Sequence, residues 1–169
     1  MASNNPDRCA IVYNDEKLSF KELNEMSNSL AYFLRQQNIQ RNDIIPIICD
    51  RSPSYYISII SISKAGGAFL PIDKKLPIDR IKFIIDEVKP KIILYNNTQD
   101  IIDKLDNENY NIYNLRNHNY SLNTDNINSI NEPNDTCYVL FTSGTTGKPK
   151  GALISHFNIY NNLREFTKE

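Results

Sequence analysis

Apolar residues along this chain alternate between short continuous runs and helically spaced sets. Cys9–Tyr13 is a short apolar run ahead of the turn-like Asn14-Asp15 and predicts a strand. Ser19-Phe-Lys-Glu22 has the capping-box form, in which serine and glutamate satisfy each other's free backbone donors. Behind it, Leu23, Met26, Leu30, Phe33 and Leu34 recur at helical spacing and predict an amphipathic helix to about Gln37. Ile44–Cys49 is continuously apolar, as in a strand covered on both faces. Pro46 lacks a ladder donor, which argues for an edge or strand-start position. Ser52-Pro53 joins a good N-cap to a proline at the first helical position and opens a helix to about Lys64. Ala65-Gly66-Gly67 breaks it, and Ala68–Ile72 is the next extended segment.

Pro77 opens a further helix with Ile78, Ile81, Ile85 and Val88 on one face; Pro90 closes it, and Lys91–Tyr95 predicts another strand. Strands alternating with helices imply βαβ units with right-handed crossovers. The expected fold is therefore α/β, a mostly parallel, doubly wound sheet. From Asn96 to Asn134 asparagine crowds in, and only Ile101–Leu105 (helix) and Ile112–Leu115 (strand) keep an apolar signal. This variable stretch is expected to be solvated loop rather than a ligand surface. Order returns at Thr136–Phe141, a clear strand, and Ala152–Ile154 suggests a short one. Ser155 then caps a last helix from Phe157 to about Phe166.

Composition narrows the function classes. The 169 residues suit one domain, and 40% hydrophobic with 23% charged residues is a globular balance. A net charge of −1 removes the electrostatic case for a nucleic-acid or anionic-membrane binder. No apolar run approaches the roughly 18–20 residues that span a bilayer. Cys9, Cys49 and Cys137 form no CxxC pair and no even disulfide set, which favours a reducing, cytoplasmic setting. His118 and His156 lie too far apart in sequence to support a Cys/His zinc site.

The chemistry concentrates after the strand Cys137–Phe141, in Thr142-Ser-Gly-Thr-Thr-Gly-Lys-Pro-Lys-Gly151. Glycines let backbone N–H groups approach an anion, hydroxyls add adjustable donors, and a threonine suits a magnesium shell. Lys148 and Lys150 supply charge for a polyphosphate. A Walker A loop needs G-x-x-x-x-G-K-[ST], but Pro149 follows Lys148 and Thr142 stands where the first glycine belongs. The segment is not a P-loop of that kind.

TSGTTGKPKG closely resembles the phosphate-binding signature of the adenylate-forming enzymes, the AMP-dependent synthetases and ligases that activate acyl and aminoacyl groups. Leu18-Ser-Phe-Lys-Glu-Leu-Asn24, continuing to Leu30-Ala31, is similar to an early helix motif of that family. Lys64-Ala-Gly-Gly-Ala-Phe-Leu-Pro-Ile-Asp73, followed by Pro77 and Arg80-Ile81, is similar to its second motif. The FLPID form is most like the amino-acid adenylation domains of nonribosomal peptide synthetases. Carboxylate reductases share it, and acyl-CoA synthetases are less similar.

The resemblance implies ATP and Mg2+ as cofactors. A small carboxylate or amino acid would attack the α-phosphorus of MgATP, giving an acyl-adenylate and pyrophosphate. The phosphopantetheine thiol of a carrier would then take the acyl group. It assigns phosphate contacts to Thr142, Ser143, Gly144, Thr145, Thr146, Gly147, Lys150 and Gly151. Lys150 is the phosphate lysine because it matches the family's PKG element. Residues 1–169 are expected to form an incomplete N-terminal subdomain without the substrate pocket or the C-terminal lysine, so no catalytic residue is assigned and the isolated chain should be inactive. The alternatives are an inactive nucleotide- or pyrophosphate-binding remnant and an interaction module. Arg51 is expected to be an ion-pair partner at a helix start, His156 a surface or capping residue, and Lys64–Asp73 a structural segment.

Overall fold

The computed structural model describes residues 2–105, 109–143 and 149–166. Strands β1 (Cys9–Tyr13) and β2 (Glu16–Ser19) form an antiparallel hairpin turned at Asn14, φ 52°, a left-handed position asparagine tolerates. Helix α1 (Phe20–Gln36) follows with its capping box complete: the Glu22 N–H donates to Ser19 Oγ (3.2 Å) and the Ser19 N–H to Glu22 Oε2 (2.8 Å). Next come β3 (Ile44–Cys49), α2 (Pro53–Ala65), β4 (Ala68–Pro71), α3 (Ile78–Val88), β5 (Ile93–Asn96) and the short α4 (Gln99–Ile102). The chain closes with β6 (Ile112–Asn114), β7 (Thr136–Ser143), β8 (Pro149–Ser155) and α5 (His156–Phe166).

The main sheet has the order β6-β5-β3-β4-β7-β8, parallel throughout except for the antiparallel β7–β8 edge. Strand alternation builds two cores. Ile45, Ile47 and Leu94 point to α1 and α2, while Ile48, Leu70 and Ile93 point to Ile81, Ile84 and Ile85 of α3. The sheet is thus covered on both faces, as the continuous apolar run of β3 predicts.

Pro46 lies on a central strand, contrary to the edge or strand-start expectation. The Ala68 N–H donates to the Asp43 carbonyl (2.8 Å) and the Ile72 N–H to that of Ile47 (3.0 Å), so odd-numbered residues bond β4. The Pro46 nitrogen therefore faces β5, whose ladder with β3 begins only at Ile47↔Leu94. The missing donor falls just before that ladder. Ser52 also differs from expectation: its hydroxyl makes no capping bond, because the Tyr55 N–H donates to the Ser52 carbonyl instead (3.0 Å). The break after α2 needs glycine, since Gly66 has φ 104° and an added Cβ would come within 2.6 Å of Ile130 Cδ1.

That contact belongs to a larger finding about the asparagine-rich stretch. Residues 118–131 are a strap bound across α1 and α2 rather than a free loop. Asn28 Nδ2 donates to the Thr124 carbonyl (2.8 Å), Asn24 Nδ2 to Asn126 Oδ1 (2.9 Å), Arg35 to the Asn128 carbonyl (2.6 Å) and Asn131 Nδ2 to the Ser63 carbonyl (2.7 Å). Beneath it, Lys64 Nζ donates to Asn24 Oδ1 (2.8 Å) and Asn28 Oδ1 (2.7 Å), and burial pushes this lysine down to about 8.

The strap ends at a clamp. Arg41 holds the buried Asp135 through Nε (2.8 Å) and Nη2 (2.9 Å) and reaches Glu132 Oε1 (2.9 Å). Asn42 Nδ2 donates to Asp135 (3.1 Å), and the Thr136 N–H donates to Asn42 Oδ1 (2.7 Å), locking the start of β7. The Arg41 fork, then the Glu132 N–H, hold the Asp135 carboxyl far below the ordinary carboxylate range. A depressed carboxylate stabilises the fold above its unfolded pKa and loses that contribution as pH falls through its folded one. Asp135→Asn is expected to lower the thermal midpoint at neutral pH, with the gap from wild type closing as pH falls from about 4 to about 2. Melting curves that stay equally separated across that range would refute this role.

Candidate functional site

The clamp fixes where β7 starts, and its pairing with β4 at Phe69↔Tyr138 fixes its direction. The strand therefore delivers Thr142 and Ser143 to the carboxyl edge of the parallel sheet, where ligands of such sheets gather. Strand β8 returns antiparallel, pairing Phe141↔Gly151, Thr142↔Lys150 and Ser143↔Pro149. Much of the expected ten-residue loop is thus ladder, because its flanks pair with each other. The expectations for Gly144, Thr145, Thr146 and Gly147, and the comparison with Lys148, lie outside the described residues.

Of the expected phosphate contacts, the structure brings together Thr142, Lys150 and Gly151. Cross-strand partners share a face, so Thr142 and Lys150 lie on one side of the hairpin and Phe141 and Gly151 on the other. Lys150 is exposed and makes no ion pair with a described residue. An exposed cation beside a hydroxyl at a strand end suits an oxyanion. An open groove of about 580 Å³ between α3 and the hairpin is lined by Phe83, Val88, Val139, Phe141 and Leu153, with Glu87 and Lys150 also on its wall.

A second feature shares the carboxyl edge. A cleft of about 520 Å³ at the ends of β3 and β4 is lined by Cys49, Asp50, Arg51, Tyr55, Asp73 and Lys74, among others. Arg51 does not pair as expected; Asp50 pairs with Lys74, and that bond raises the lysine's pKa. Arg51 is left exposed and without an ion pair to a described residue. The cleft was legible only through the rule that ligands sit at carboxyl edges, since its residues come from two separate segments.

Neither histidine faces this edge as a ligand. The His156 N–H donates to the Asp135 carbonyl (3.0 Å), and its Nε2 lies 3.3 Å from Asn131 Nδ2. His118, which sequence reasoning passed over, lies 3.1 Å from Ser29 Oγ through Nε2 and 3.1 Å from Tyr113 Oη through Nδ1, and burial lowers its pKa. It fastens the strap. Among the described residues no group of three or more His, Cys, Asp or Glu could hold a metal, and no helix is long and apolar enough to cross a membrane.

Comparison with known proteins agrees with this geometry. The family model described as AMP-binding enzyme matches residues 1–169. Gramicidin S synthase 2 of Brevibacillus brevis is 39% identical over 97% of this chain, which spans only 4% of that synthase's length. The nonribosomal peptide synthetase FmoA3, solved with α-methyl-L-serine-AMP bound, superposes with a TM-score of 0.88 at 24% identity, over 99% of this chain and 18% of its own. The Klebsiella oxytoca NpsA N-terminal subdomain superposes with a TM-score of 0.76 at 25% identity, over 92% of this chain and 40% of its own.

The three thiols give a direct check on the site. Cys9 is exposed, Cys137 is buried, and burial pushes Cys49 up to about 12, which leaves it no thiolate at neutral pH. Cys9 is expected to react with iodoacetamide in the folded protein while Cys49 and Cys137 react only after denaturation. Rapid labelling of Cys49 in the native state would show an open, reactive thiol in the cleft.

Proposed function

The chain belongs to the AMP-binding enzyme family, and from that premise we propose that it is the N-terminal part of an ATP-dependent carboxylate-activating enzyme whose Thr142–Gly151 segment holds the β- and γ-phosphates. The observation that carries this reading is Thr142 set opposite Lys150, which has no ion-pair partner among the described residues, at the carboxyl edge of the sheet.

In the complete enzyme a carboxylate oxygen forms a bond to the α-phosphorus of ATP, and the bond to the bridging oxygen of pyrophosphate breaks. Charge accumulates on the departing pyrophosphate. Catalysis of such a transfer is mostly positioning and charge stabilisation, which a fixed cation and aligned donors supply. Lys150 gives the charge, the Thr142 hydroxyl gives a donor, and Ser143 through Gly147 complete the contacts. Mg2+ accompanies the triphosphate, with the threonine hydroxyls as candidates for its shell. An amino acid is the favoured substrate class, because relatives at 39% identity are peptide synthases, and the activated group would pass to a carrier's phosphopantetheine thiol.

A polypeptide of these 169 residues is expected to bind MgATP weakly and to show no amino-acid-dependent ATP–pyrophosphate exchange. Exchange above the blank would overturn that expectation. Lys150→Ala should weaken pyrophosphate binding by about tenfold, the order expected for a lost charge-assisted contact, and Lys148→Ala by less than about threefold. Equal losses in a calorimetric titration would refute the assignment of Lys150.

A further inference from the structure

Gly151 supplies room rather than an unusual backbone angle. A Cβ at this position would lie 3.2 Å from Phe141 Cζ, 3.3 Å from Phe141 Cε2 and 3.3 Å from Val139 Cγ1. The Phe141 ring therefore occupies the space over Gly151 that a side chain would take. Phe141 and Gly151 are ladder partners, one rung from Thr142↔Lys150. The same ring is half-buried against the core of α3 and lines the groove with Phe83 and Val88. It is thus held on two sides, by the opposite strand and by the core cluster between the sheet and α3.

We propose that Phe141 is a positioning residue for Lys150. By filling the space over Gly151 and packing on the core beneath α3, it holds the last rungs of the hairpin in register, so that the lysine stands opposite Thr142. This rests on the phosphate-binding role of the hairpin end. Strand alternation sends the Phe141 side chain to the hairpin face opposite Thr142, and although Lys150 also borders the groove that Phe141 lines, the effect on the lysine is transmitted through their shared ladder. An edge hairpin with one solvent-facing strand has few other restraints on its end. Small displacements of a positioned charge cost much of its effect.

The test is a double-mutant cycle on the 169-residue chain, titrated with inorganic pyrophosphate. Phe141→Ala is expected to weaken binding by about fivefold in the wild-type background and by less than about twofold when Lys150 is already alanine. Equal losses in both backgrounds would overturn the proposal, since Phe141 would then act independently of the lysine. Gly151→Ala, which crowds the ring without emptying the core, is expected to weaken binding in the same direction. Adding Phe141→Leu to that variant should recover most of it; failure to recover counts against the packing argument.

Amide exchange separates the register role from the phosphate-binding role. In Phe141→Ala, exchange across 140–142 and 150–152 should quicken about tenfold while Ile47 and Leu94 stay protected. Quickened exchange in that variant, with a wild-type chain that binds no pyrophosphate, would uphold the register role and sink the phosphate reading. Unchanged exchange at the hairpin end would sink the register role whatever binds.

Discussion

The bidentate pair between Arg41 and Asp135 decides where the functional strand enters the sheet. Strand β7 follows β6 in sequence but joins the opposite half of the sheet, beside β4, after a long connection. Closing such a connection costs entropy that no local hydrogen bond repays. Asp135 supplies a fixed point at its end. Both carboxylate oxygens are occupied, by Arg41 Nε and Nη2, Asn42 Nδ2 and the Glu132 N–H, so the buried charge is fully answered. Thr142 stands seven residues further on, about 23 Å along the strand at ~3.3 Å per residue.

That geometry separates stability from chemistry along the strand axis. At the amino edge, charges are matched: Arg41 with Asp135 and Glu132, Lys91 with Asp43. At the carboxyl edge Lys74 is paired with Asp50, but Arg51 and Lys150 have no carboxylate partner among the described residues. The strap contributes to the first end and not the second. It is tied to α1 and α2 by amide and guanidinium bonds, and it ends where the clamp begins. A sheet braced at one edge leaves its other edge free to present unpaired cations to an anion.

Most of this architecture was legible in local pattern. The capping box at Ser19, the apolar run of β3, the helical spacing of α3 and the glycine break after α2 each correspond to an element close to its expected bounds. The features that escaped were set by pairing partners rather than by local pattern. Strand β2, Glu-Lys-Leu-Ser, has no periodicity of its own and exists because β1 pairs with it. The asparagines of the strap find partners about a hundred residues away, as Asn126 does with Asn24, and composition cannot show that. Thr142, Ser143, Pro149 and Lys150 resemble loop residues by type, yet each stands on a ladder rung. The candidate site was legible as a motif; its rigid flanks were not.

Those flanks matter because a strand, not a helix, carries the lysine. In a Walker-type loop the lysine opens a helix, and the helix dipole adds to its charge. Here Lys150 is succeeded by the remainder of β8, and α5 begins only at His156. Among the described residues no helix N-terminus stands behind this lysine to share in attracting a phosphate. The positive potential at the hairpin end rests on a side chain whose position is inherited from a β-ladder. A ladder end is soft unless something grips it, and on this hairpin the grip falls to the ring that occupies the space above Gly151. On the proposed reading the glycine on the third rung below the loop serves register, by leaving room for an aromatic ring that a larger residue would crowd.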